Sequence, residues 1–174
     1  SIPLATIQTA DVSGDVQLIG RGNIPTRLTH WAFGQLAARV SAPASYLRTL
    51  PASLASQAIN HGLAERLKAE PSTTVNLLLH VSTASAFVLR ALTSDRYERV
   101  WNYEVAERLL HMQDQGWEPA MPDIRKSADD FPALYASDHD MFVFLRHRER
   151  TLDEPGNPGG LQRGVIVENS EVGA

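Results

Sequence analysis

The hydrophobic period of this chain changes at Pro71-Ser72-Thr73, and a change of that kind restricts the fold more than any other feature of the sequence. Upstream, Ala32, Phe33, Leu36, Ala37 and Val40 recur at helical spacing behind Thr29, whose hydroxyl suits an N-cap. Ser41 and Pro43 open a second, short helix with Tyr46, Leu47 and Leu50; Pro51 then restarts the chain into a third, where Ala55, Ile59, Gly62 and Leu63 share a face. Before them, Val16, Leu18 and Gly20-Arg21-Gly22 read as one short strand and a bend. Downstream of Pro71 the period is 2. Val75, Leu77, Leu79 and Val81 alternate, as do Phe87, Leu89 and Ala91, and Ser82 to Ser85 supply a turn, so Val75 to Leu92 is predicted to be a largely buried β-hairpin.

Asn102 is predicted to cap a further helix with Val105, Ala106, Leu109, Leu110 and Met112 inward, ended by Gly116. Trp117 to Met121, Ala133 to Ala136, Met141 to His147 and Leu161 to Val167 read as strands, and Gly156-Asn157-Pro158-Gly159-Gly160 as a loop. The expected fold is α+β, with N-terminal helices packed on a mostly antiparallel sheet. It forms a single domain over residues 1–174, helical over 1–70 and mixed over 71–174.

Composition removes several classes. With 43% hydrophobic and 21% charged residues the chain is neither disordered nor fibrous, and zero cysteines exclude disulfides, thiolate metal sites and a cysteine nucleophile. Apolar runs such as Val75 to Val81 fall short of the roughly 18 residues of a membrane span, and Ser1 to Thr9 lack a signal-like pattern, so a cytoplasmic protein without membrane contact is expected. The net charge of −4 argues against coating of duplex nucleic acid by the whole surface. Charge is uneven, however: residues 1–68 hold six cations and three anions, and only Lys68 and Lys126 are lysines.

Three polar clusters stand at element edges: Ser94-Asp95-Arg96-Tyr97, Ser137-Asp138-His139-Asp140 and Glu168-Asn169-Ser170-Glu171. Such residues serve binding when a scaffold fixes them, and equally serve turns and caps. Asp138, His139, Asp140 and Glu171 could ligate a hard divalent ion, but neighbours on a strand point to opposite faces, so no metal and no cofactor are expected. Ser94 or Ser170 with His139 or His111 lacks a nucleophile elbow, and Gly20-Arg21-Gly22 lacks a phosphate-loop lysine; an enzyme is not expected. Arg90, Arg96, Tyr97, Arg99 and Trp101 combine guanidinium groups with rings, the equipment that holds single strands without sequence preference, although Asp95, Glu98, Glu104 and Glu107 neutralise the stretch and core packing is the competing role of its rings.

At these residues the chain resembles a known family. Leu92-Thr93-Ser94-Asp95-Arg96-Tyr97 followed by Asn102, Ser137-Asp138-His139-Asp140-Met141-Phe142-Val143, Arg163-Gly164 and Asn169-Ser170-Glu171-Val172-Gly173 are similar to the phage/plasmid-like family called domain of unknown function 932. Leu28 to Leu36 and Tyr46-Leu47 through Leu50-Pro51 fit its opening. The resemblance implies a phage or plasmid context, other proteins of the same mobile element as partners, and no transferable activity. Members continue past the Asn-Ser-Glu-Val-Gly run, so Ser1 and the end at Ala174 imply a trimmed fragment. Two functions are expected to compete: a single-stranded nucleic-acid binding or annealing accessory, and a non-catalytic interaction or assembly domain. Self-association is compatible with either.

Overall fold

The computed structural model describes residues 1–20, 22–82, 86–120, 133–137 and 139–173, with the backbone alone at residues 150 and 157–159. The chain divides into two compact units, Ser1–Tyr97 with Gly173, and Glu98–Val172.

The first unit begins with strands rather than helices. β1 (Ile2–Pro3), a 3₁₀ turn (Leu4–Thr6), β2 (Gln8–Val12), β3 (Asp15–Ile19) and β4 (Pro25–Leu28) precede α1 (His30–Arg39), α2 (Ala44–Leu47) and α3 (Ala52–Ala69). β5 (Thr74–Val81) and β6 (Phe87–Ser94) complete a six-stranded sheet in the order β1-β5-β6-β4-β3-β2. Every pairing in it is antiparallel except β4 with β6, where Thr26 to Leu28 run alongside Phe87 to Leu89 in parallel. The expected hairpin is present, Val75 facing Ser94 and Val81 facing Phe87, with a bulge between Leu78 and Leu79, but it is not largely buried: Leu79, His80 and Val81 are exposed.

The expectation of an α+β fold with a helical N-terminal part is therefore corrected: the chain is mostly β, with two curled sheets. β2 escapes hydrophobic patterning because its core-facing residue is Thr9, 4% exposed. Burying a hydroxyl and strand-edge amide requires partners. Asn60 of α3 provides them, its Oδ1 accepting from Thr9 N at 2.7 Å and its Nδ2 donating to Thr9 O at 2.8 Å, while Thr9 Oγ1 donates to Ser56 O at 3.1 Å. Ser13 and Gly14, at φ 58° and 88°, form the two-residue turn joining β2 to β3.

Helix α1 follows the edge of β6. Thr29 N donates to Leu89 O at 3.0 Å, Thr29 Oγ1 accepts from Ala32 N at 3.1 Å as predicted, and Gln35 Oε1 accepts from Leu92 N at 2.7 Å. Leu4, Leu36, Ile59, Val75, Leu89 and Leu92 are at most 1% exposed and form the centre of this core. Each is worth about 1.5–3 kcal/mol of transfer free energy.

The second unit holds α4 (Asn102–Gln113), β7 (Trp117–Pro119), β8 (Leu134–Ala136), β9 (Asp140–Glu154) and β10 (Asn157–Ser170). β10 lies on one side of β9, while β7 and β8 pair with successive parts of the other, all antiparallel. Met141, Val143 and Leu145 point to one face and pack with Val105, Leu109 and Met112 of α4. Leu110, expected inward, is 60% exposed. Asn102 is the first helical residue, with Trp101 at the cap position. The expected Gly-Pro loop is also corrected: Pro155-Gly156 alone makes the turn, and strand geometry resumes at Asn157, which pairs with Glu154. A left-handed Gly156, at φ 91°, allows a turn that short. α4 ends at Gln113, and Gly116 closes the turn after it at φ 87°, where a Cβ would lie 3.0 Å from the His147 ring.

Candidate nucleic-acid interface

The five residues expected to hold a single strand divide between the units: Arg90, Arg96 and Tyr97 belong to the first, Arg99 and Trp101 to the second. Arg90 is half-buried at the β6 bulge, Arg96 is exposed and Tyr97 is half-buried. Ser94 is the last residue of β6 and accepts at its carbonyl from Tyr97 N at 3.2 Å. Thr74 Oγ1 donates to Asp95 Oδ2 at 2.7 Å, and this bond, ahead of the nearby Arg96 charge, holds the Asp95 carboxyl below its ordinary range.

In the second unit the polar motif residues converge on the entrance of α4. Glu171 Oε1 accepts from Asn102 N at 2.9 Å and the Glu171 carbonyl accepts from Arg99 Nε at 2.6 Å. Asn169 Nδ2 donates to Asn102 Oδ1 at 2.7 Å and to Val100 O at 3.0 Å. Glu104 Oε2 accepts from Trp101 N at 2.8 Å, and Arg99 lies 5.2 Å from the centre of the Trp101 ring. Two side chains thus satisfy amides that a helix start leaves open. Arg99 and Trp101 serve this fastening. Ser170 Oγ donates to His139 O at 3.1 Å, and Ser137 Oγ accepts from Asp140 N at 3.1 Å. Asp138 lies outside the described residues. Among the described residues no three His, Asp or Glu side chains are placed to hold a metal ion.

A different set stands on the sheet face turned away from α4. Alternation along β9 puts Phe142, Phe144, Arg146 and Arg148 on the side opposite Met141, Val143 and Leu145. Tyr135 of β8 pairs with Phe142, their rings 6.0 Å apart and tilted by 34°. Tyr135 and Phe144 are 49% and 38% exposed. On β10, Ile166 faces Phe144 and Gly164 faces Arg146, so the missing side chain at Gly164 leaves a groove of about 520 Å³ bordered by Phe144, Arg146, Gln162 and Ile166. Arg163, the neighbouring motif residue, is exposed at the β9–β10 irregularity.

Glu118 of β7 sets the charge of this face. Its carboxylate accepts from Arg148 Nε at 2.8 Å and Arg146 Nε at 3.0 Å, and these bonds, that of Arg148 first, hold it below the usual carboxylate range. One carboxylate between two guanidiniums orients both forks, and the single positive charge left there is matched by exposed Glu168, which stands opposite Phe142 on the same face. The signal was present in the sequence: Phe142-Val143-Phe144-Leu145-Arg146-His147-Arg148 places two rings and then two cations on one strand face.

No family model, curated protein or solved structure matches this chain.

Proposed function

We propose that the second unit binds single-stranded nucleic acid on the sheet face formed by Tyr135, Phe142, Phe144 and Arg146, as an accessory that holds or anneals strands. The observation that carries this reading is the row of exposed Tyr135, half-buried Phe142 and exposed Phe144 beside a groove bordered by an oriented guanidinium. Rings accept any base by stacking, and the arginines supply the phosphate contact. The test is fluorescence anisotropy with labelled oligothymidylate and duplex DNA at two salt concentrations. Phe144→Ala should weaken binding by roughly 1–3 kcal/mol with the salt slope kept. Replacing Arg146 and Arg148 together should flatten the slope. Absence of salt-dependent single-strand binding would overturn the reading.

A second reading, an interaction domain, is favoured by the outer part of the β9–β10 ribbon. Leu152 and Leu161 face each other there and are 69% and 48% exposed. If Leu152→Ser and Leu161→Ser abolish partner or self-association without touching oligonucleotide binding, the ribbon serves proteins.

A further inference from the structure

The first unit contains a recess of about 280 Å³ bordered by β3, β4, the start of α1 and the chain around α2. Arg27 projects from β4 directly opposite Gln17 of β3, and both line the recess. Among the described residues the Arg27 guanidinium has no hydrogen-bond or ion-pair partner, although it stands on a strand next to a capped helix. Arg48 faces the same recess and is held in place. One of its terminal nitrogens donates to His30 O at 2.8 Å, and its guanidinium carbon lies 4.8 Å from the centre of the Phe33 ring. A guanidinium fixed by one bond and one ring keeps further donors for a ligand, with little ordering left to lose. The N-terminus of α1 is not the basis of the site, since Thr29 already serves Ala32 N.

We propose that this recess binds a small phosphate monoester. Two guanidiniums match the two charges of a monoester, whereas a diester carries one. Asp15 lies on the same rim and disfavours a second anionic group, but a carboxylate is able to accept from a ligand hydroxyl, which points to a hydroxylated body such as a sugar. Phe33, Leu47 and Leu50 give that body an apolar wall.

The experiment is a titration of the full chain followed by amide chemical shifts, with adenosine 5′-monophosphate as probe, cyclic 3′,5′-adenosine monophosphate as the matching diester and oligothymidylate without terminal phosphate as a backbone control. The monoester should shift amides around Gln17, Arg27 and Arg48 saturably, and both diesters should bind at least about tenfold more weakly. Arg27→Gln and Arg48→Gln should each weaken the monoester by about tenfold or more. Arg48→Gln removes a contact to Phe33 and can disturb folding, so Arg27→Gln, with an otherwise unchanged spectrum, is the deciding variant. Absence of saturable shifts up to about 10 mM, equal binding of the diesters, or full affinity in Arg27→Gln would each overturn the proposal.

Discussion

Glu171 fastens the start of α4 twice, through its carboxylate to the Asn102 amide and through its carbonyl to the Arg99 side chain. A helix entrance deprived of a carboxylate acceptor loses about 0.5–2 kcal/mol. Glu171→Ala should therefore lower stability in urea by that amount, and Asn169→Ala should add to it less than its separate cost, because both act on Asn102. Glu118 and Asp95 behave differently, through protons. Both carboxyls sit below their ordinary range, Glu118 because of Arg148 and Arg146, Asp95 because of Thr74. A depressed folded-state pKa gives stability that is present above the ordinary carboxylate range and is lost as pH falls through the lowered one. Urea midpoints followed from about pH 5 down to pH 2 should consequently fall less steeply in Glu118→Gln than in the parent. An unchanged acid limb would show that the Glu118 bonds do not persist in solution.

At the scale of elements, Gly62 shows how closely α3 approaches the end of α1. A Cβ there would stand 2.6 Å from Val40 Cβ, closer than packed carbons can sit. Gly62→Ala is expected to cost about 1–3 kcal/mol despite the better helix propensity of alanine, and adding Val40→Ala should restore part of the loss. Thermal melts of the three variants would check this. The sequence pattern locates both helices and the β5–β6 hairpin, since each has a long apolar period. It misses β2, because buried Thr9 breaks the alternation and its partners Ser56 and Asn60, 47 and 51 positions away, make that burial tolerable. It places the α4 motif residues without revealing their purpose, since a fastening made by Asn169, Glu171 and Asn102 depends on pairing between distant strands. The rings and arginines of β9 lay in plain alternation.

Among the described residues of the whole molecule there is a large apolar core in the first unit and a smaller one in the second. Amide exchange should report that inequality: β5, β6 and α3 are expected to open least often, and the ribbon from Thr151 to Gln162, whose described side chains are exposed through Glu154 and again at Leu161 and Gln162, most often. Protection of the ribbon equal to that of β6 would mean that another molecule covers it, in favour of the interaction reading. The parallel pairing of β4 with β6 has a consequence for synthesis. Thr26 finds its partner at Phe87, 61 residues later. At 5–20 residues per second the ribosome takes roughly 3–12 s to deliver that partner. During this interval the β2-β3-β4 meander has left the tunnel with an open edge at β4, so the nascent chain, more than the finished protein, is the form in need of a chaperone.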